Sequence, residues 1–271
     1  MPAGPRGLLD GLLADLTAET GELDEVLAAL GAADWELPTP AAGWAVRDQV
    51  SHLAYFDETA ALAASDPGRF RAGAAALMAL GDGFPDQIAE RYRALPAGEL
   101  LRWFRAARAG FTATFAATDP AARLPWYGPD MSPASSVTAR LMETWAHGQD
   151  IADAVGVACA PTGRLRHIAH LGVRTLGFSF QLRGRPVPAA PVRVELDAPD
   201  GGNWTWGPER AADTVRGPAL DFCLVVTQRR NLADTALRAG GPVAAEWMTL
   251  AQAFAGAPGP GRPPAASEAA R

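Results

Sequence analysis

The chain has 271 residues, 48% of them hydrophobic and 20% charged, with a net charge of −6 at neutral pH. A chain this long can bury a large core in one or two domains. The acidic balance, with no basic cluster, excludes a general nucleic-acid-binding surface or an anionic-membrane surface, and the absence of lysine excludes Schiff-base chemistry.

Residues 8–30 place Leu9, Leu12, Leu13, Leu16, Leu23, Val26, Leu27 and Leu30 at helical spacing with acids opposite, which predicts a first helix ending at Gly31. An apolar loop with Trp35, Pro38, Pro40 and Trp44 follows and is expected to pack over one mouth of a helix bundle. A second helix starts near Ala45 and carries Asp48, His52, Tyr55, Phe56 and Thr59 on one face. Pro67 interrupts it, and helix resumes over 69–80 until Gly81-Asp82-Gly83. Residues 85–94 predict a short helix, and 99–117 a long one burying Leu100, Trp103, Phe104, Ala107, Phe111 and Phe115. The loop 119–133 contains Trp126, Tyr127 and Met131. A helix then runs to about Val155, with Ser132 as its N-cap and Pro133 in the first position.

That helix carries Glu143 and His147, four apart and therefore one turn apart on the same face. A carboxylate and an imidazole stacked in this way supply two adjacent metal ligands, and His52 is the candidate third. The chain has four histidines, and this reading uses two of them. The same spacing also describes a solvated helix face with a weak side-chain contact. His167 and His170, on a predicted helix over 164–182, have the i, i+3 spacing of a second ligand pair but no neighbouring acid, and they read as packing or exposed residues.

The pattern then changes to period two. Residues 191–196 and 203–207 predict a β-hairpin across Pro199-Asp200-Gly201-Gly202, with a further strand over 211–216 and a short one at Leu237-Arg238. Residues 218–227 and 243–254 predict helices. The domain break is expected near residues 183–188, giving a bundle over 1–184, a small α/β domain over 185–256 and a disordered tail over 257–271. Cys159 and Cys223 cannot form a disulfide framework and read as small apolar residues. No segment offers the ~20 apolar residues of a membrane span. The N-terminus lacks the features of a signal peptide, so a cytoplasmic protein is expected.

Trp35, Pro38-Thr39-Pro40, Gly43-Trp44-Ala45-Val46-Arg47-Asp48 and His52-Leu53, followed by Glu143-x-x-x-His147, resemble the DinB-like superfamily. Within it the chain is similar to the mycothiol-dependent maleylpyruvate isomerase family of actinobacteria, over about residues 8–254. Pro125-Trp126-Tyr127-Gly128-Pro129 and Trp204-Thr205-Trp206-Gly207-Pro208-Glu209 resemble runs of uncharacterised actinobacterial metal-binding proteins within it. The resemblance implies a mainly α fold with an α+β C-terminal part: a DinB-like four-helix bundle followed by a small α/β domain.

It further implies a divalent metal on His52, Glu143 and His147, a set that suits Zn²⁺ and also fits Ni²⁺, Co²⁺, Mn²⁺ or Fe²⁺. The implied chemistry is addition of a thiol, mycothiol in that family, to a conjugated double bond, then rotation and expulsion. S-transfer onto a small electrophile is the related outcome. Asp48 is a candidate to orient His52, and Asp150 to orient His147. Trp126, Tyr127 and Met131 are candidates to line the pocket or to cap the core. Arg229 or Arg230 corresponds to a C-terminal-domain arginine near the thiol, or is a cation favoured at a helix end. The partners implied are a small-molecule substrate and a thiol. No nucleic acid or membrane partner is implied, and a homodimer is compatible with the long helix faces. The same triad would also serve a thiol-independent lyase, hydrolase or cyclase, or a non-enzymatic metal-binding module.

Overall fold

The computed structural model describes residues 4–81 and 83–265. The chain divides into two compact units, Met1–Cys159 and Ala160–Arg271.

In the first unit α1 (Pro5–Ala28), α2 (Val46–Ser65), α5 (Ala97–Ala117) and α6 (Pro133–Val155) form a four-helix bundle. Both α1 and α2 pack against α5 and α6, while α3 (Pro67–Met78) and α4 (Phe84–Tyr92) lie on α2. The bundle closes because every long helix sends an apolar stripe inward. Leu23 and Leu27, Val46, Val50 and Leu53, Leu100 and Phe104, and Ile151 meet in one cluster from all four helices. Burying each such side chain contributes about 1.5–3 kcal/mol.

Local signals set where α6 begins and ends. Ser132 Oγ accepts from Ser135 N–H at 3.1 Å, Pro133 occupies the first turn, and Gly156 terminates the helix in the left-handed region at φ 72°. The loop before α2 is pinned by a bridge between Pro38 and Ala45, with Thr39 N–H donating to Trp44 O at 2.8 Å. This hairpin-like closure holds the Trp44 ring over the start of α2.

The second unit begins with α7 (Leu165–Arg174) and α8 (Leu176–Gln181). The single helix expected over 164–182 is broken at Thr175, which has φ −93° and ψ 9° and whose hydroxyl donates back to Gly172 O at 3.1 Å. A four-stranded sheet follows, with strands β1 (Val192–Asp197), β2 (Asn203–Trp206), β3 (Asp213–Pro218) and β4 (Arg238–Gly240) in the order β2-β1-β3-β4. β1 pairs antiparallel with β2 and parallel with β3, and β4 closes antiparallel on β3.

Helices α9 (Ala219–Val226) and α10 (Pro242–Leu250) pack on the sheet. Val194 and Leu196 face them with Trp206 and Trp204 alongside in register. Gly207 is obligatory at the end of β2: at φ 79°, a Cβ there would lie 2.2 Å from Val192 O.

The expected break near residues 183–188 lies inside this second unit, because α7 packs on α9. The helix expected over 243–254 stops at Leu250; Ala251 turns extended, and Ala253 N–H bonds Val226 O at 2.8 Å. Residues 257–265, expected to be loose, are held by Arg183 Nη2 on Gly259 O and by Asn231 Nδ2 on Arg262 O. The rest of that tail, 266–271, lies outside the described residues. Among the described residues no helix is long and apolar enough to cross a membrane.

Candidate metal centre

His52 reaches inward from α2, one residue before the core residue Leu53. Glu143 and His147 reach it from successive turns of α6. Ligand-capable atoms of the three lie within 4.8 Å of one another. Glu143 Oε2 sits 3.0 Å from His147 Nε2 and 3.5 Å from His52 Nε2, and the two imidazole centroids are 4.4 Å apart. Both ring nitrogens therefore converge on one carboxylate oxygen. Phe56, on the next turn of α2, stands 4.5 Å from the His52 ring. Trp44 closes the opposite side, stacked at 15° to His147 and 5.4 Å from His52.

The three side chains could together hold a cation. Burial, and then the neighbouring His147, push the His52 imidazole down to about 4, against the pull of Glu143, so His52 is neutral at physiological pH. Burial alone would raise the Glu143 carboxyl, but its contacts with His147 and then His52 win and hold it well below its ordinary value. His147 Nδ1 faces the Gln49 side-chain carbonyl Oε1. With its proton on that side, Nε2 presents a lone pair to a carboxylate oxygen at 3.0 Å. Two acceptors at that distance repel unless a proton or a metal ion lies between them. Two imidazoles and one carboxylate suit Zn²⁺ or a neighbouring divalent metal and leave coordination positions open, so the residues present fit such an ion.

Asp48 does not orient His52. It is the third residue of α2, and its Oδ2 reaches back to cap Ala45 N–H at 2.9 Å. The same carboxylate is gripped by Arg93, at 3.0 Å from Nε and 3.2 Å from Nη2. The place at His147 Nδ1 expected for Asp150 is taken by Gln49. Sequence reasoning passed over Gln49; its one signal was a position three residues before His52, on the same helix face.

Trp126 stacks on Phe70 at 8° and 5.8 Å, and Tyr127 packs edge-on to Phe70, so the 119–133 loop caps the Ala63–Phe70–Ala74 cluster. Its link to the triad runs through Phe56, 5.8 Å from Tyr127. Burial raises the Tyr127 phenol far above its ordinary value, so it stays neutral. Met131 bonds Leu124 in a two-residue bridge that closes the loop.

In the second unit, Arg229 and Arg230 follow α9 and donate to Thr227 O and Arg229 O. His170 Nδ1 accepts from Trp206 Nε1 at 3.3 Å, and neither His167 nor His170 belongs to the ligand cluster.

A four-helix bundle carrying a His-Glu-His cluster, followed by a small α/β unit, defines the class of protein. The profile of the mycothiol maleylpyruvate isomerase N-terminal domain matches residues 16–152, and the chain belongs to that family. A second profile, wyosine base formation, matches residues 188–240.

Two uncharacterized proteins of Mycobacterium tuberculosis, from strains CDC 1551 / Oshkosh and ATCC 25618 / H37Rv, are each 47% identical over 250 residues. Those alignments cover 92% of this chain and 97% of each relative. The fold matches the crystal structure of the mycothiol-dependent maleylpyruvate isomerase with a TM-score of 0.57 at 15% identity, covering 86% of this chain and 94% of that one. A histidine-to-alanine mutant of the same enzyme matches at 0.55, again at 15% identity, covering 82% and 89%.

Proposed function

We propose that the protein is a metal-dependent enzyme that uses a low-molecular-weight thiol, mycothiol or a close analogue, for isomerisation of, or S-transfer onto, a small electrophilic substrate. The observation that carries this reading is the lone-pair arrangement around Glu143 Oε2, which calls for a cation held by His52, Glu143 and His147. When bound, a divalent ion there supplies Lewis acidity and favours the thiolate form of a thiol beside it.

The chain's own residues do the rest. His52 offers a neutral imidazole nitrogen and His147 its Nε2, Glu143 offsets the cation's charge, and the Trp44 and Phe56 rings flank the ligands. The thiol has to come from outside. Burial raises the Cys223 thiol far above its ordinary range, and burial with Glu19 nearby also raises Cys159, so neither is a ready nucleophile. Membership in an isomerase family supports the same reaction class. Arg229 or Arg230 is the second unit's candidate to interact with the thiol or substrate, and Trp126, Tyr127 and Met131 are candidates to border the substrate beyond Phe56.

The test is turnover of maleylpyruvate and a panel of conjugated electrophiles by metal-loaded protein, with and without mycothiol. Thiol-dependent turnover that disappears in His147→Ala is expected, with metal affinity lowered by the lost ligand. Turnover that needs the metal but not the thiol would overturn the thiol role in favour of a lyase, hydrolase or cyclase. Metal binding with no turnover of any substrate would leave a binding module.

A further inference from the structure

A histidine binds a cation through one ring nitrogen only when its proton sits on the other. For His147 that choice is made by a chain of side chains reaching into the loop before α2. Gln49 is fully buried, and its amide has two faces. Its Nε2 donates to Thr39 Oγ1 at 2.7 Å, and its Oε1 faces His147 Nδ1. The Thr39 hydroxyl has a single proton, which goes to Trp44 O at 2.8 Å, so towards Gln49 it accepts.

The donors therefore run one way, from His147 to Gln49 to Thr39 to Trp44 O. Reversing the chain would turn the Thr39 proton towards Gln49 and abandon its bond to Trp44 O. It would also place the His147 proton on Nε2, where a cation must bind. His52 has no such partner: its Nδ1 is buried without a hydrogen bond.

We propose that Gln49 and Thr39 are positioning residues that lock His147 in the metal-binding tautomer and tie the Trp44 loop to the ligand set. This rests on the metal reading of the same site. Within it, His147 is the preorganised ligand and His52 the adaptable one. The loop whose Trp44 ring stacks on His147 is anchored through the same hydrogen bonds that aim that imidazole.

The test is Zn²⁺ affinity of the full chain, measured by competition with a chromophoric chelator, with the visible spectrum of Co²⁺-loaded protein as a readout of ligand geometry. Outer-sphere changes of this kind cost about 10–100-fold in metal affinity. Gln49→Leu, which removes the acceptor, is expected to fall in that range and to alter the Co²⁺ spectrum. Thr39→Val removes the anchor but not the acceptor, and is expected to cost about tenfold, one hydrogen bond's worth.

Gln49→Glu keeps an acceptor for His147 Nδ1 but loses the donor to Thr39 Oγ1, so it is expected to match Thr39→Val, whereas Thr39→Ser, which keeps the hydroxyl, is expected to hold wild-type affinity and spectrum. A merely structural role would not produce that rescue. Should Gln49→Leu fail to fold, Thr39→Val against Thr39→Ser carries the test alone. Wild-type protein that binds Zn²⁺ no better than Thr39→Val and Gln49→Leu would overturn this inference while leaving the metal site intact. Wild-type protein that binds no Zn²⁺, Co²⁺ or other divalent ion would sink the metal reading and this inference together.

Discussion

Two polar clusters sit between the same helices of the bundle, and they are built on opposite principles. The first is the triad of His52, Glu143 and His147. The second is one turn away, where the Asp57 carboxylate of α2 lies fully buried between Arg108 of α5 and Arg140 of α6. There every charge is answered from within. Asp57 Oδ2 accepts from Arg108 Nε at 2.7 Å, and Oδ1 accepts from Arg140 Nε at 2.9 Å. Arg108 also bonds Thr20 of α1 at 2.7 Å and Thr144 of α6 at 2.9 Å, and Arg140 donates to Leu53 O at 3.0 Å.

One carboxylate thus ties all four helices together. The triad does the reverse: it directs two imidazole nitrogens at one carboxylate oxygen and leaves His52 Nδ1 without a partner. A polar cluster that satisfies itself is a clamp. One that gathers two ring nitrogens on a single carboxylate oxygen could hold a cation.

The sharpest way to break this contrast is Asp57→Ala. It leaves two guanidinium groups buried without their counter-charge and is expected to cost about 3–5 kcal/mol in urea unfolding of the metal-free protein. A loss below about 1 kcal/mol would show that the cluster is not a clamp.

The next test uses pH. Burial holds folded His52 at about 4 instead of 6.5, so as pH falls from 6.5 the unfolded chain takes up its proton first. Stability is therefore fully present above pH 6.5 and declines through that window, by an amount on the order of 3 kcal/mol. In His52→Gln the slope of metal-free stability between pH 6.5 and 4 is expected to flatten; an unchanged slope would assign the decline to other groups. Glu143, held low, contributes in a separate window below its ordinary carboxylate range.

The smallest effect tests how separate the two clusters are. Thr144→Val removes one hydroxyl from the clamp beside Glu143 and is expected to cost about 1–2 kcal/mol of stability. Zn²⁺ stoichiometry should stay at the wild-type value. A loss of bound metal in this variant would mean that clamp and triad are one network.

Sequence alone determined the four long bundle helices and the residue types of the candidate site. The cap at Ser132, the proline at 133 and the i, i+4 spacing of Glu143 and His147 are local properties, written in consecutive residues and independent of the rest of the chain. The apolar stripes of α1, α2, α5 and α6 likewise foretold a bundle, and the period-two run over 191–207 foretold the hairpin.

Tertiary structure decided which polar groups meet. Gln49 and Asp48 are neighbours on α2, yet Gln49 turns to His147 across the bundle while Asp48 turns back to its own helix start and to Arg93. Asp57, Arg108 and Arg140 are spread over 83 residues, and no periodicity marks them as partners. Helical spacing fixes the direction of a side chain relative to its own axis only. Its partner depends on how neighbouring helices are rotated and staggered, and that is set by the packing of the whole core.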